Sequence, residues 1–428
     1  MRLGGRLAAA IEVLHDIEER NRPAADSMRD WGVSHRFAGS GDRAAIGNLV
    51  YDALRRKHAA AWLLNAATPR ALVLGSYALE NGLDADAIDA SLATDNFAPP
   101  ALSDAERTTL GERLGSLMPD EARANVPDWC LPLVSQAFGD RWVEECEALC
   151  TRPPLDLRAN TLKATRERVL ETLLQHGAEA AHIAPHGIRI PAIVGNGRHP
   201  NVQTTTAFQD GWFEVQDEGS QIVAELAGAA PGMQVLDFCA GAGGKSLACS
   251  ARMENQGQVF AFDADRQRLE PIHDRIKRAG CRNVQVVSEL AKLEKLEGQF
   301  DLVLVDAPCT GSGTWRRRPD AKWRLTAQQL ETRMAEQSAI LDSASRYVKP
   351  GGRIAYITCS IFDEENGSQV EGFLARTPEF KLEDHQAVWQ DRFNAPPELA
   401  RTGEGRGLTL SPALTGTDGF FFASLKRS

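Results

Sequence analysis

The chain has 428 residues, 43% hydrophobic and 25% charged, an ordinary globular composition and more sequence than one compact core usually holds. Its net charge of −10 weighs against a broad nucleic-acid binder, although an acidic total can hide a local basic stripe. No apolar run approaches the length of a membrane span, and the opening MRLGGRLAAAIEVLHDIEER, amphipathic with acids from Glu12 onward, is unlike a secretory leader.

Residues 1–93 read as helices: Leu7, Ile11, Leu14 and Ile17 recur at helical spacing, as do Ile46, Leu49, Val50, Ala53 and Leu54. Asn96–Ser103 (NFAPPALS) breaks the pattern with its prolines, helical spacing resumes to about Cys150, and Arg152-Pro153-Pro154 marks the next boundary. A helix over Arg166–Gly177 and strand-like pieces such as Gly187–Ile193 follow, up to about residue 215. Beyond that, short apolar strands alternate with helices, the pattern of a doubly wound α/β sheet. Strands are predicted at Gln234–Phe238, Gln258–Asp263, Val284–Val287, Phe300–Asp306, Gly352–Thr358 and Gly419–Leu425, and helices near 245–253, 265–279, 326–348 and 364–375. The expected domains are therefore helical (1–148), small α+β (149–215) and α/β (216–428).

Eight cysteines (Cys130, Cys146, Cys150, Cys239, Cys249, Cys281, Cys309, Cys359) include no CxxC pair, so neither a disulfide framework nor a metal site is expected, and a reducing cytoplasm fits. Cys146 and Cys150, four apart on a predicted helix, read as buried thiols rather than ligands.

The first α/β strand runs into Asp237-Phe238-Cys239-Ala240-Gly241-Ala242-Gly243-Gly244-Lys245. A glycine-rich turn from strand to helix brings backbone amides up to an anionic group, either a pyrophosphate or the carboxylate of a methionine moiety. The next strand ends at Asp263, where a carboxylate can accept from ribose hydroxyls; Asp265 sits past the strand and suits a helix cap. GAGG rather than GxGxxG disfavours a dinucleotide.

Two further strands stop at cysteine-bearing turns, Asp306-Ala307-Pro308-Cys309 and Thr358-Cys359-Ser360. A lone cysteine there would read as a small buried hydrophobe. Two at the ligand-binding ends of neighbouring strands suit methylation at carbon 5 of a pyrimidine. One thiolate adds to carbon 6, an acid such as Asp306 holds N3, and the second thiol removes the carbon 5 proton. Lys245 is a candidate for ionising the nucleophile. Spacing leaves open which thiol attacks.

At these residues the sequence resembles the Nol/Nop/Sun (RsmB-like) family of RNA 5-methylcytosine methyltransferases. DFCAGAGGKS, DAPCTGSGTWRRRPDAKWR, YITCSIFDEENGSQV and LSPALTGTDGFFFASLKR match its successive motifs, and PPLDLRANTLK its small preceding domain, together covering about residues 150–428. The resemblance implies a Rossmann-like class I methyltransferase domain, S-adenosyl-L-methionine as cofactor, Cys359 as nucleophile and Cys309 as the residue that assists release. It also implies a cofactor pocket lined by Cys239, Ala240, Gly241, Ala242, Gly243, Gly244, Lys245, Asp263 and Asp306. Two departures stand out: Gly241-Ala242 replaces Ala-Pro, and Ser288-Glu289 stands where the family has an Asp near the adenine. Asp42–Arg56 resembles the family's NusB-type RNA-binding domain, a reading held beside that of a generic helical accessory domain.

Trp315–Arg324 holds five basic residues, one acid and two tryptophans. Arg316, Arg317, Arg318, Lys322 and Arg324 are expected to meet RNA phosphates, the bland alternative being a solvated basic loop. The expected function is methylation of carbon 5 of cytosine in ribosomal RNA by a cytoplasmic monomer, without membrane or metal. The alternatives are a transfer-RNA cytosine methyltransferase and a ribosome-assembly factor with vestigial methylation.

Overall fold

A computed structural model of the chain describes residues 1–93, 95–402 and 405–428. The chain divides into two compact units, one comprising Met1–Arg152, Ile193–His199 and Thr314–Leu325, the other Pro153–Ala192, Pro200–Gly313 and Thr326–Ser428. Contiguous domains read in chain order do not anticipate the two short segments, 193–199 and 314–325, that join the helical unit.

The first unit opens with α1 (Leu3–Arg20), α2 (Ala24–Ser34), α3 (Ser40–Arg55), α4 (Lys57–Leu64) and α5 (Pro69–Asn81). Apolar residues on one face of each turn inward: Leu7, Leu14 and Ile17 of α1, Ile46, Val50 and Leu54 of α3, and Leu72 of α5 share one core. Thr68 accepts from the Ala71 amide and Pro69 takes the first helical position, so α5 starts where its sequence says it should. The proline-rich break ends at a capping box, Ser103 with Glu106, that opens the helix Asp104–Arg113. Cys130, Cys146 and Cys150 are buried in this unit.

The 314–325 segment carries the helix Pro319–Arg324, and it corrects part of the expected RNA contact. Lys322 is 1% exposed, its Nζ 3.3 Å from the Arg55 carbonyl oxygen and 4.9 Å above the Trp323 ring. Arg316 is also buried, and its carbonyl accepts from Arg55. The two tryptophans draw this stretch inward: Trp315 is buried and the Trp323 indole donates to the Leu54 carbonyl at 2.6 Å. Arg318 is exposed, and Arg324 is half-buried and paired with Asp320 at 2.9 Å.

The second unit holds two sheets. The smaller is antiparallel, β1 (Leu155–Ala159), β2 (Glu179–Ala180), β3 (Gly187–Ile190) and β4 (Phe213–Val215) in the order β2-β3-β1-β4. Leu157, Ile188, Ile190 and Phe213 pack with Val169 and Leu173 of the helix Arg166–Leu173. The strand predicted over Gly187–Ile193 stops at Ile190, before Pro191, which has no amide to donate to a ladder.

The larger sheet comprises β5 (Gln234–Asp237), β6 (Gln258–Phe262), β7 (Val284–Val287), β8 (Phe300–Asp306), β9 (Val348–Thr358), β10 (Phe380–Leu382), β11 (Arg401–Thr402), β12 (Leu408–Leu410) and β13 (Phe420–Arg427). Its order is β11-β12-β13-β9-β8-β5-β6-β7, with β10 on β13. From β7 to β9 all neighbours are parallel, while β13 runs antiparallel to β9. The chain order reverses between β5 and β8, the switch point beyond whose carboxyl ends such sheets bind ligands. The predicted helix 265–279 is broken into Arg266–Leu269 and Ile272–Ala279 at Pro271, which supplies no amide for the helical ladder. Strands β10, β11 and β12 were not anticipated; two or three residues carry too little periodicity to register.

Candidate active site

The loop after β5 forms because Gly243 adopts φ +83°, a left-handed conformation, at the N-cap of the helix Gly244–Arg252. A Cβ there would also stand 2.4 Å from Ile272, so the backbone lies close against its neighbour. Asp263 follows β6 as predicted, is buried, and accepts the Gly241 amide at 2.8 Å and the Asp265 amide at 2.9 Å. Asp265 caps the next helix through the Gln267 and Arg268 amides. Within the loop's root, Asp237 is wholly buried and accepts the Ser246 hydroxyl at 2.6 Å, and burial pushes its carboxyl up to about 7. Its other oxygen is buried with no partner.

Lys245, on the first turn of that helix, is buried and reaches Asp306 at 2.6 Å, with the Ser220 hydroxyl at 3.5 Å and the Phe420 ring at 5.6 Å. Asp306 closes β8 and keeps 35% of its side chain exposed, so it faces open space while its charge is balanced. Lys245 is thus held by a carboxylate, and this pair is the structure's placement of two expected site residues.

The β8–β9 register sets Asp306 beside Ile357, and the two chains then turn out of the sheet together. Three residues beyond Asp306 and two beyond Ile357, the Cys309 and Cys359 sulfurs stand 3.4 Å apart. Both side chains are partly exposed, unlike the buried Cys130, Cys146, Cys249 and Cys281. The Cys309 thiol is pushed well above its ordinary value, first by its contact with Cys359, then by burial and by the charges of Cys359 and Glu365. The turns are locked by close backbone packing. The Gly313 amide donates to the Cys359 carbonyl at 2.9 Å, and the Gly419 amide to the Gly313 carbonyl at 2.8 Å. A Cβ on Gly313 would stand 2.1 Å from the Gly419 oxygen, and one on Gly419 would stand 2.7 Å from the Gly313 Cα, so both positions require glycine.

Residue-by-residue reading missed a set of polar groups behind the thiols. Glu365 and Asn366 were noted only as part of a motif, yet both are buried and hydrogen-bonded to the cysteine turns, as is Gln337 from the helix Ala327–Ser345. At the end of β7, Ser288 and Glu289 are both exposed, and Glu289 pairs with Lys292 at 3.3 Å.

The Asp263 carboxylate retains lone pairs beyond its two amide bonds, and the unpartnered Asp237 oxygen is a polar atom inside the same loop. These carboxylate acceptors suit the hydroxyl and ammonium donors of the ribose and amino-acid ends of S-adenosylmethionine. Among the described residues, no group of three His, Cys, Asp or Glu could hold a metal ion, and no helix is long and apolar enough to cross a membrane.

Parallel strands carrying an acid-bearing glycine turn and a second-strand carboxylate define a class I, S-adenosylmethionine-dependent methyltransferase. Residues 226–426 match the 16S rRNA methyltransferase RsmB/F family, and residues 126–194 match the ferredoxin-like domain of RsmF/B-like methyltransferases. The ribosomal RNA small subunit methyltransferase B of Cronobacter sakazakii is 33% identical over 316 residues, 73% of this chain and 69% of that relative. The chain therefore belongs to the RsmB/F family of RNA methyltransferases. The crystal structure of PH0851 is 26% identical with a TM-score of 0.72, covering 100% of this chain and 99% of that one. NSun6 from Pyrococcus horikoshii shares the fold, at 21% identity and a TM-score of 0.61, over 70% of this chain and 98% of its own.

Proposed function

We propose that the protein methylates carbon 5 of a cytosine in small-subunit ribosomal RNA through a covalent adduct on Cys359, with Cys309 as the base that releases the product. The observation that carries this reading is the 3.4 Å contact of two partly exposed thiols beyond the carboxyl ends of β8 and β9. A single nucleophile would not need a second sulfur in contact with it.

Asp263 and the Cys239–Lys245 loop hold S-adenosylmethionine, which when bound supplies an activated methyl group. Cys359 gives its proton to water and its sulfur bonds to carbon 6 of the cytosine, so the double-bond electrons move to carbon 5, making it nucleophilic. The Lys245–Asp306 pair holds the N3 edge of the ring and supplies the proton that N3 gains and later returns. Once Cys359 is a thioether it no longer opposes charge on Cys309, which then ionises by giving its proton to water. The Cys309 thiolate takes the carbon 5 proton, the carbon 5–carbon 6 double bond re-forms, and the Cys359 sulfur leaves as thiolate. The raised Cys309 value makes it a poor competitor for the first attack.

Residues 1–148 are read as a NusB-like RNA-binding domain and residues 149–215 as the small domain that precedes the catalytic one. Arg317, Arg318 and Arg324 remain the basic residues of the 314–325 segment assigned to RNA phosphates. The expected setting is the cytoplasm, with the protein acting as a monomer.

The test is direct. Cys359→Ala should abolish methylation, while Cys309→Ala should accumulate an enzyme–RNA complex that survives a denaturing gel. Bisulfite sequencing of RNA from cells with and without the gene should locate one cytosine that loses its mark. An active Cys359→Ala variant together with an inactive, adduct-free Cys309→Ala variant would reverse the assignment. An unchanged cytosine map would remove the enzyme reading.

A further inference from the structure

Glu365 and Asn366 are consecutive, and each brackets one of the two cysteines. The Glu365 carboxylate accepts the Thr310 amide at 2.8 Å and the Thr310 hydroxyl at 2.5 Å, on the far side of Cys309. It also accepts the Gln337 side-chain amide at 3.0 Å, and the same nitrogen donates to the Pro308 carbonyl at 2.9 Å, on the near side. Asn366 does the corresponding thing for Cys359. Its oxygen accepts the Thr358 hydroxyl at 2.5 Å and its nitrogen donates to the Ser360 carbonyl at 2.9 Å. The dipeptide is itself tied to β9, because the Tyr356 hydroxyl donates to the Glu365 carbonyl at 2.6 Å.

We infer that Glu365 and Asn366 are the positioning residues of the dual-thiol site, setting the Cys309–Cys359 contact and, through the Glu365 carboxylate, which of the two sulfurs attacks. This rests on the proposed cytosine chemistry for its consequence in turnover, and on geometry alone for the thiols.

The carboxylate is the informative part. Glu365 is fully buried, and the groups that donate to its carboxylate, from Thr310 and Gln337, are neutral. Burying a charge without a cation is costly, and a glutamine would fill the same space without that cost. A fixed negative charge next to Cys309 does what a neutral amide could not: it opposes a second negative charge there. The groups facing Cys309 are Cys359, Glu365 and the Tyr356 hydroxyl, and both Cys359 and Glu365 push its thiol up. Asn366, a neutral bidentate brace, holds the turn on both sides of Cys359 and adds no charge there.

The test begins without RNA or cofactor, so it does not depend on the cytosine reading. Iodoacetamide labelling of the full-length protein is followed by mass spectrometry of the separate Cys309 and Cys359 peptides across pH 6–10, since labelling tracks the thiolate. Glu365→Gln should move the Cys309 labelling profile to lower pH; Glu365→Asp, which keeps the charge, should return it toward the wild-type position. In turnover, Glu365→Gln and Asn366→Ala should each lower kcat by about 100-fold, the scale expected for a misplaced reacting group, with KM for RNA within about twofold. A Glu365→Gln protein that keeps its melting temperature and the original Cys309 profile overturns the proposal, as does a rise in KM at unchanged kcat. Should Glu365→Gln fail to fold, Thr310→Val carries the test: it removes one hydrogen bond to the turn but keeps the charge, and should lower kcat several-fold while leaving the Cys309 profile in place. Unchanged kcat in that variant overturns the positioning role. If the wild-type protein proves unable to methylate cytosine, the functional reading fails while the labelling result still decides this one.

Discussion

Asp237 shows how much one residue's chemistry depends on where the sheet puts it. Its carboxyl is wholly buried, meets one hydroxyl donor, and is pushed up to about 7 by burial. The folded state therefore holds this proton more tightly than the unfolded chain, whose value stays near 3.8. The stabilisation is complete below that unfolded value and is lost as pH rises through about 7, amounting to at most about 4 kcal/mol. Asp237→Asn keeps an acceptor for Ser246 and cannot ionise, so its melting temperature relative to wild type should rise steadily between pH 4 and pH 8. A constant difference across that range would show that the carboxyl titrates normally. The motif around Asp237 was legible in the sequence as a ligand turn; its protonation was not, because burial is a property of the assembled sheet.

At the level of elements, each strand end carries one piece of the site. β5 brings the glycine turn, β6 Asp263, β8 Asp306 and Cys309, and β9 Cys359. Their boundaries were readable because strands alternate with helices at short range and glycine, proline and capping residues punctuate them. The capping box at Thr326 and Gln329 is an example, since it starts the helix that carries Gln337 to the cysteine turns. What chain order could not supply was the register between β8 and β9, on which the thiol contact rests. The crossing of Gly313 and Gly419 holds that register at its open end. Gly313→Ala should cost about 1–3 kcal/mol in chemical denaturation, the usual penalty for overpacking, because the added carbon would meet backbone rather than a flexible side chain. Full stability in that variant would mean the turns move apart freely, and the thiol distance would lose its significance.

Across the whole molecule, the 314–325 segment changes the account of RNA contact. As sequence it is a basic stretch with two stacking aromatics; as structure it is partly core of the helical unit. Lys322 illustrates the difference, with burial driving its ammonium below the ordinary value. Lys322→Met should leave RNA affinity and its salt dependence unchanged and should be neutral or stabilising, since an apolar side chain of similar length replaces a buried charge. Arg318→Ala, by contrast, should lower the slope of log affinity against log salt by about 0.7, one phosphate contact on single-stranded RNA. Equal salt slopes for Arg318→Ala and wild type would remove that arginine from the interface.

The sequence by itself determined the fold class, the glycine turn, the carboxylate after the second strand of the α/β sheet and the pair of cysteines, because strand-turn-helix units and their motifs are written in neighbouring residues. Tertiary structure alone decided that the two sulfurs touch, that Glu365 and Asn366 brace them, and that Arg316 and Lys322 face inward. The sulfur contact, the Glu365 bonds to Thr310 and the seating of Lys322 against Arg55 join residues about fifty or more positions apart, and only the packing of the sheet and the helical core brings such residues together.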